Sequence, residues 1–315
     1  MKEKISIIST VRNEEKNIKK FIDSIIKQTK RPDELIIVDD GSRDKTYEIL
    51  NEYSKKYSWI KSYQLIGANI AKGRNFAINK STGDIIFTSD CSTVFEKDWI
   101  RKIINGFDKN TDVVFGTYFV IPKTLVEKFL VSRLPNWNKI NPNKFLPSNR
   151  HTAFRRIVWK KVGGFPEHIR RADDNWFHEK AHSLGFKYAF IKDAKVEWLL
   201  DRTLKTTLRL AFLDSKTEGF TLMFARRKIY WTELFLLAFG IALIFLGIFV
   251  NINILTWFVI LGLVFLVLFG GLRTYLKTKS ISAGFMGLLL TPLLYFAHVF
   301  GVLAGMIQRI YRRTE

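Results

Sequence analysis

The feature that most constrains this chain is a C-terminal region almost free of charged side chains. Leu234–Leu272 contains 39 consecutive residues without Lys, Arg, Asp or Glu, and Ser280–Gln308 contains 29 more. The charged residues lie before this region, in Arg273–Lys279, and in the tail from Arg309. Long uncharged apolar stretches are typical of helices that cross a lipid bilayer. The sequence therefore predicts a polar domain followed by an α-helical transmembrane region.

The uncharged stretches divide into three segments of about the length that crosses a bilayer, which takes about 20 helical residues. The first stretch is too long for one span, and Asn251–Asn253 separates residues 234–250 from residues 254–272. Residues 281–307 form the third segment. Around these spans we expect a catalytic domain over residues 1–200, a basic interfacial linker over residues 201–230 and a transmembrane region over residues 231–315.

The orientation in the membrane follows from the basic residues that flank these segments. Met1–Lys4 contains no apolar signal segment, so we expect the N-terminal domain to stay in the cytosol. Arg273–Lys279 then returns to the cytosol, as the positive-inside rule prefers, but three full spans would export the basic tail from Arg309. A re-entrant third segment would remove that conflict, so two or three spans stay open. The expected location is the cytoplasmic membrane, with a multi-pass topology.

The net charge of +21 narrows the choice of partners. Strongly basic chains bind nucleic acid or anionic lipid surfaces, or carry lysine-rich helices that only solvate a surface. The hydrophobic region favours lipid, because each Lys or Arg beside a membrane gains roughly 1 kcal/mol from anionic headgroups. We therefore expect a membrane partner and no nucleic acid. Cys91 is the single cysteine, which excludes an internal disulfide and a cysteine-rich zinc site.

Short β-branched runs alternate with amphipathic helical segments in the first ninety residues. This alternation predicts a mainly parallel sheet with helices on both faces. One helical segment places Ile18, Phe21, Ile22, Ile25 and Ile26 at helical spacing. A later one contains Ile49, Leu50 and Tyr53, and Gly73–Asn79 predicts a short helix. The predicted strands are Ile5–Ser9, Leu35–Val38, Ile60–Leu65 and Ile85–Phe87.

Polar clusters follow three of these strands, at Thr10–Glu14, Asp39–Ser42 and Ser89–Ser92. Ligands of open α/β sheets bind beyond the carboxyl ends of parallel strands, so the clusters predict a binding site there. The proline-containing stretch Thr117–Asn149 is less regular and is interpreted as a mobile insertion beside the site. Thr203–Tyr230 mixes basic and apolar residues, which indicates either an amphipathic segment at a membrane surface or an ordinary surface helix.

Taken together, the order and spacing of these motifs resemble the family 2 glycosyltransferases of the GT-A fold. The resemblance covers residues 4–200 without a large gap. Each motif is weak alone, because an Asp after a strand often only caps a helix or closes a turn. The matching stretches are Ser9–Glu14, Val38–Thr46, Lys72–Ile78, Ser81–Asp84, Ser89–Cys91, Val162–Glu167 and Ala172–Asp174.

The resemblance implies a nucleotide-binding role for the first two polar clusters. Thr10, Val11 and Glu14 match positions that hold the base and ribose of a nucleotide sugar. Asp40 matches the carboxylate that accepts the base N–H, and its neighbour Asp39 is expected to brace the loop. The expected donor is a nucleoside diphosphate sugar, with uridine and guanosine both compatible with these motifs.

The resemblance also implies a site for the diphosphate and a divalent ion, Mg²⁺ or Mn²⁺. Arg74 matches a residue near the base and phosphates, where a guanidinium can bind two oxygens at once. The family commonly has two aspartates where this chain reads Thr88-Ser89-Asp90, so Asp90 is the expected metal ligand and Ser89 offers only a hydroxyl to the donor site. One carboxylate suffices when phosphates and waters complete the coordination shell. The family often has a metal-binding histidine after the last strand, where this chain reads Val196-Glu197-Trp198, so we expect modest metal affinity.

Asp173 and Asp174 match the acidic pair that precedes a helix in the family. By that match Asp174 is the general base and Asp173 shapes its environment, because neighbouring acids raise one another's pKa. Both residues could instead only stabilise a helix N-terminus. Trp176 and Trp198 could stack on sugar rings, although tryptophans are more often packed in the protein interior.

The sequence thus predicts an inverting, hexosyl-type glycosyltransferase acting on a lipid-linked or membrane-proximal glycan acceptor. Two alternatives stay open. A polyprenyl-phosphate sugar synthase would use a phosphate acceptor, which needs no general base. A non-catalytic membrane scaffold with a GT-A shell would explain the reduced metal motif, but it would not explain why Asp40, Arg74, Asp90 and Asp174 are present together.

Overall fold

The computed structural model of the chain describes residues 3–222 and 252–312. By their internal contacts the residues form two compact units. Unit 1 comprises Met1–Ile121 and Pro135–Leu200, and unit 2 comprises Pro122–Leu134 and Asp201–Glu315. The predicted span at residues 234–250 lies outside the described residues. Unit 1 ends at Leu200, and residues 122–134 group with unit 2; the predicted division into catalytic domain, linker and transmembrane region stays a prediction.

Unit 1 is built on one mixed sheet whose described strands follow the order β3-β2-β1-β4-β7-β6-β8-β5. The strands β1–β4 run parallel in the pairs β3-β2, β2-β1 and β1-β4, as predicted. Beyond β4 the sheet is mixed rather than parallel throughout, because β7 runs antiparallel to both of its neighbours and β5 runs antiparallel to β8, whereas β6 and β8 pair in parallel. The strands are β1 Ile5–Val11, β2 Glu34–Asp39, β3 Ile60–Gln64, β4 Ile85–Asp90, β5 Thr93–Phe95, β6 Val113–Phe119, β7 Thr152–Arg155 and β8 Tyr188–Trp198.

The first three helices lie where apolar residues recur at helical spacing. Asn69 begins α3 by accepting a hydrogen bond from Lys72 N at 2.8 Å. The described helices in chain order are α1 Ile18–Ile26, α2 Thr46–Lys56, α3 Ile70–Lys80, α4 Trp99–Ile104, α5 Leu125–Val131, α6 Arg156–Val162, α7 Asp173–Ser183, α8 Leu204–Thr221, α9 Ile252–Thr278 and α10 Ile281–Arg312.

Both faces of the parallel half of the sheet are buried. Alternate residues of β1 enter different cores: Ile7 packs in the core that contains α1, and Ile8 packs in the core that contains α3. The predicted apolar face of α1 is confirmed, since Phe21 and Ile22 are fully buried. Two covered faces are what continuous β-branched strands such as β1 require.

The prediction of an irregular mobile insertion at Thr117–Asn149 is wrong for its central part. Residues 125–131 form α5, which begins with a capping box in which Thr124 and Glu127 bond to each other's backbone amides. The helix belongs to unit 2, where it packs against α9 and α10. Ser132 Oγ lies 3.5 Å from Thr274 Oγ1 of α9. Thr124 and Glu127 have the spacing of a capping box, but the prolines on either side favoured an irregular segment over a helix.

The helices of unit 2 pack through glycines. A Cβ atom on Gly305 of α10 would lie 2.0 Å from the carbonyl oxygen of Lys216 in α8, and one on Gly219 of α8 would lie 2.1 Å from the carbonyl oxygen of Val302. Gly270 and Gly287 similarly bring α9 and α10 together. Gly301 likewise lies against the backbone of α8, so small residues allow the close packing of these helices.

Among the described residues, one helix is long and apolar enough to cross a membrane. It spans Ile281–Tyr311, with a mean hydropathy of 1.8 in its most apolar window. The predicted segment at residues 254–272 lies within α9, where Trp257 and Phe265 are exposed. The number of spans and the side of the membrane on which unit 1 lies stay predictions.

Candidate active site

The parallel strands bring the predicted polar clusters together. In the sheet Thr10 is paired with Val38 of β2 on one side and with Asp90 of β4 on the other. The Cα partner of Val11 is Asp39, at the same edge. The carboxyl ends of β1, β2 and β4 therefore meet, as the sequence predicted.

Asp39 braces the loop after β2. It is fully buried and accepts hydrogen bonds from Ser42 N at 3.0 Å and from Gln64 Nε2 at 3.1 Å. The next residue, Asp40, accepts a hydrogen bond from Arg12 at 3.2 Å with its Oδ2 atom. The other oxygen, Oδ1, is buried and has no hydrogen-bond partner in the described part of the chain. An unsatisfied carboxylate oxygen is costly, and it is suited to accept an N–H from a ligand.

Helix α3 approaches the end of β1 very closely at Gly73. A Cβ atom there would lie 2.6 Å from Cγ2 of Thr10, so any larger residue would push the helix away. The loop after β1 is tied to α2, because the Glu14 amide donates to Thr46 Oγ1 at 2.7 Å. The Glu14 carboxylate accepts from Asn17 Nδ2 at 2.8 Å. The close approach at Gly73 places Arg74 in the site.

Arg74 is buried between two carboxylates. Its NH1 atom donates to Asp173, and its NH2 atom donates to Asp90 at 2.8 Å. Burial alone would lower the pKa of Arg74, but the charges of Asp173, Asp90 and Asp174 together raise that pKa above its usual value. The guanidinium therefore remains charged and balances the acidic cluster. Its predicted contact with the donor's base and phosphates stays a prediction.

The predicted acidic pair begins helix α7. The residue before it, Ala172, has a φ of 58°, in the left-handed region that costs a non-glycine residue energy. Asp173 is buried, whereas Asp174 is only partly so. Burial raises the pKa of Asp174 to about 6, and the negative charge of Asp173 acts in the same direction, opposed by Arg74. A carboxylate with such a pKa is a suitable general base near neutral pH.

In the described structure Asp90 is paired with arginines and does not lie in a cluster of metal-ligating side chains. Both carboxylate oxygens of Asp90 form ion pairs, one with Arg74 at 2.8 Å and the other with Arg150 at 3.5 Å. Ser89 is buried, and the Thr88 hydroxyl donates within the protein. The described residues contain no cluster of three or more His, Cys, Asp or Glu side chains placed to hold a metal. The Mg²⁺ or Mn²⁺ expected at Asp90 stays a prediction.

Sequence reasoning missed Arg150, which lies in the loop before β7. Its guanidinium lies 4.1 Å from the centroid of the Trp198 ring and 5.1 Å from that of Tyr118. The stacking of Trp198 on a sugar ring stays a prediction. Trp176 has Lys180 Nζ 4.9 Å from its ring centroid. No local pattern marks Arg150, because its ion pair with Asp90 and its contacts with the rings of Tyr118 and Trp198 join residues that are distant in the chain.

Asn75 is a second residue whose role the sequence did not reveal. Its Oδ1 atom accepts from Phe165 N at 2.8 Å and from Trp159 Nε1 at 3.0 Å. Its Nδ2 atom donates to the Phe165 carbonyl and to Glu167, both at 2.9 Å. All four hydrogen-bonding positions of the amide are thus used. Asn75 fixes the glycine-containing turn before α7 to helix α3.

Comparison with known proteins agrees with this geometry. The sequence profile of "Glycosyl transferase family 2" matches residues 6–192, which is more than half of the chain. The chain belongs to glycosyl transferase family 2. Proteins of related sequence include "Probable glycosyltransferase YdaM" of Bacillus subtilis, 28% identical over 214 residues that cover 62% of this chain and 50% of that protein. Another is the "O-antigen chain rhamnosyltransferase RfbN" of Salmonella typhimurium, 26% identical over 195 residues that cover 56% of this chain and 60% of that protein.

Two solved structures resemble this chain over 99% of its length. The mannosyltransferase PcManGT from Pyrobaculum calidifontis, in complex with GDP-Man and Mn²⁺, has a TM-score of 0.61 at 15% identity and covers 99% of this chain and 88% of its own. S. aureus TarS 1–349 in complex with UDP-GlcNAc has a TM-score of 0.56 at 18% identity and covers 99% of this chain and 92% of its own. At these identities the likeness shows a GT-A-like fold. The chain spans between about half and 60% of the length of the first two sequence relatives.

Proposed function

We propose that the protein is an inverting glycosyltransferase that moves a hexosyl group from a nucleoside diphosphate sugar to a lipid-linked or membrane-proximal glycan acceptor. The observation that carries this proposal is Asp174, a carboxylate with a pKa of about 6 beside the Asp90–Arg74–Asp173 cluster. Structural neighbours were solved with GDP-Man and with UDP-GlcNAc, which supports a donor of this class. The name of RfbN, an O-antigen chain rhamnosyltransferase, supports a glycan acceptor.

In the proposed reaction Asp174 takes the proton from an acceptor hydroxyl. The hydroxyl oxygen then forms a bond to the anomeric carbon while the bond from that carbon to the diphosphate oxygen breaks. A single displacement of this kind inverts the anomeric centre. The unsatisfied Oδ1 of Asp40 is suited to accept the N–H of a uracil or guanine base, and Thr10, Val11, Glu14 and Ser89 would line the nucleotide.

We propose that unit 2 anchors the protein in the cytoplasmic membrane with unit 1 on the cytosolic side. Helix α10 has the length and hydropathy for a membrane span, and Phe285, Leu289 and Phe300 on it are exposed. A membrane anchor would bring the site close to a lipid-linked acceptor. Full-length protein should remain with the membrane fraction in alkaline carbonate, and its release by high salt alone would show peripheral binding instead.

The test of the proposed activity is a donor screen with the detergent-purified full-length chain. UDP- and GDP-hexoses would be incubated with extracts of lipid-linked glycans, and the products analysed by mass spectrometry and NMR. We expect transfer from one donor class, with the anomeric configuration inverted. A retained configuration would contradict the single displacement, and failure of every nucleotide sugar to bind would contradict the proposed donor.

A further inference from the structure

On the basis of the proposed function, we propose that Arg150 binds the diphosphate of the donor and supplies, at Asp90, positive charge that a metal would otherwise provide. It would act on the leaving group by stabilising the charge that develops as the bond to the sugar breaks. The site thereby binds its donor without depending on a divalent ion. Three features of the site support this role: the charges around Asp90, the weakly used donors of Arg150 and the aromatic rings that hold its guanidinium.

The charges around Asp90 require an additional cation once a donor binds. Asp90, Asp173 and Asp174 lie around the same guanidinium, that of Arg74. A sugar diphosphate adds two negative charges to this cluster. Arg74 donates to Asp173 with NH1 and to Asp90 with NH2, and although its Nε has no partner among the described residues, its single positive charge already faces three carboxylates. A diphosphate at Asp90 therefore needs a counter-charge other than that of Arg74.

Arg150 has hydrogen-bonding capacity left for that purpose. Its NH1 atom donates to Ser148 Oγ at 3.1 Å. Its NH2 atom lies 3.5 Å from Asp90 Oδ2, which is longer than a charge-assisted hydrogen bond of about 2.7–2.9 Å. Its Nε atom is buried without a hydrogen-bond partner among the described residues. A phosphate oxygen could accept hydrogen bonds from NH2, which Asp90 binds only weakly, and from Nε, which has no described partner.

The guanidinium of Arg150 is also held in advance, which lowers the entropic cost of binding. It lies over the ring of Trp198 and near that of Tyr118. These two rings pack edge to face, with their centroids 5.9 Å apart. Cation–π contacts of this kind favour a planar guanidinium at a fixed place. The side chain is 16% exposed, so a ligand can reach it in a largely desolvated setting where charge is effective.

The experiment compares nucleoside diphosphates with nucleosides on the detergent-purified full-length chain. UDP, GDP, uridine and guanosine would be titrated calorimetrically in EDTA and in MnCl₂. The variants are Arg150→Gln and, as a matched control, Arg101→Gln, whose guanidinium pairs with Asp98 on the surface. For the wild type we expect diphosphate affinity in EDTA within about threefold of that in Mn²⁺. Arg150→Gln should weaken diphosphate binding about 10- to 100-fold, the range for loss of a charged hydrogen bond, and change nucleoside binding less than about twofold.

Three results would overturn the inference. Wild-type affinity for the diphosphate could fall in EDTA to that for the nucleoside, which would assign the phosphate contact to a metal. Arg150→Gln could bind the diphosphate as the Arg101→Gln control does. The third result is that the wild type binds no nucleoside diphosphate in either buffer, which would overturn the proposed donor as well. If Arg150→Gln does not fold, Arg150→Lys gives the same comparison, with an expected loss of about 3- to 10-fold because charge is kept but the forked geometry is lost.

Discussion

Arg74 and Asp173, which are 99 positions apart in the chain, form a buried ion pair that joins helix α3 to the start of helix α7. The same guanidinium donates to Asp90 at the end of β4, so one side chain fixes two carboxylates from different motifs. These motifs are dispersed in the sequence, and this contact is the physical reason that they must occur together. Their joint presence is hard to explain by helix capping alone.

Removal of the Arg74 guanidinium should leave the buried carboxylate of Asp173 without its counter-charge. We expect Arg74→Gln to lower the free energy of unfolding by about 3–5 kcal/mol, the usual loss when one partner of a buried pair is removed. Adding Asp173→Asn should restore part of that loss. Thermal unfolding of the single and double variants measures the coupling, with Arg101→Gln as the surface control. Equal melting temperatures for Arg74→Gln and that control would contradict the buried pair.

Asp174 should act in the chemical step and not in donor binding. Asp174→Asn keeps the shape of the side chain but removes its basicity, so turnover should fall about 10²- to 10⁴-fold while donor affinity stays within about threefold. Steady-state kinetics measures the change in turnover, and donor titration measures the change in donor affinity. Asp173→Asn is the neighbouring comparison and should reduce turnover less. Near-normal turnover of Asp174→Asn would favour a phosphate acceptor, as in a polyprenyl-phosphate sugar synthase.

The raised pKa of Asp174 also predicts two opposite pH dependences. The base is active when deprotonated, so kcat/KM of the wild type should rise as the pH passes through about 6. In Asp174→Asn this rise should be absent. The folded-state pKa lies above the unfolded value of 3.8, so protonation of this residue stabilises the fold below pH 3.8, and that contribution is lost as the pH rises through about 6. At pH 8 Asp174→Asn should therefore be more stable than wild type, by on the order of 1–3 kcal/mol. A lower melting temperature for the variant at pH 8 would contradict the raised pKa.

The left-handed backbone of Ala172 predicts that this position is strained. Glycine adopts a φ of 58° without the Cβ clash, so Ala172→Gly should raise the free energy of unfolding by about 1 kcal/mol. A serine at the same position should give no such gain. Because the helix that carries Asp174 begins here, turnover should change more than donor affinity. Thermal unfolding with parallel kinetics checks both, and a loss of stability in Ala172→Gly would contradict the assigned conformation.

The close packing of α8 and α10 predicts an effect confined to unit 2. Gly305→Leu would place a side chain where even a Cβ lies 2.0 Å from the Lys216 carbonyl oxygen, so the two helices must separate. We expect loss of stable membrane-extracted protein, while Gly262→Leu, where an added Cβ would have no described atom within 4 Å, should be tolerated. Yield and size-exclusion profile after detergent extraction provide the measurement. Equal yields would show that this packing does not limit stability.

The sequence was most informative where local patterns and motif order agree. Alternating strands and helices up to Asp90 predicted β1–β4 and the meeting of their polar ends, because parallel strands leave few other topologies. The antiparallel strands β5 and β7 were missed, since short strands in irregular sequence have no distinctive period. Arg150 was missed for a different reason. Its contacts with Asp90 and Trp198 depend on tertiary folding, which no spacing along the chain encodes.

The path of the chain through α5 has a consequence for how the protein can be cut. The polypeptide enters unit 2 at Pro122, returns to unit 1 at Pro135 and leaves it again after Leu200. A fragment that ends at Leu200 would thus keep one helix of the other unit without its packing partners. Phe129 and Ser132, both buried in the intact chain, would then be uncovered. Such a fragment would expose an apolar, aggregation-prone stretch. A soluble form of unit 1 therefore requires a short linker in place of residues 122–134.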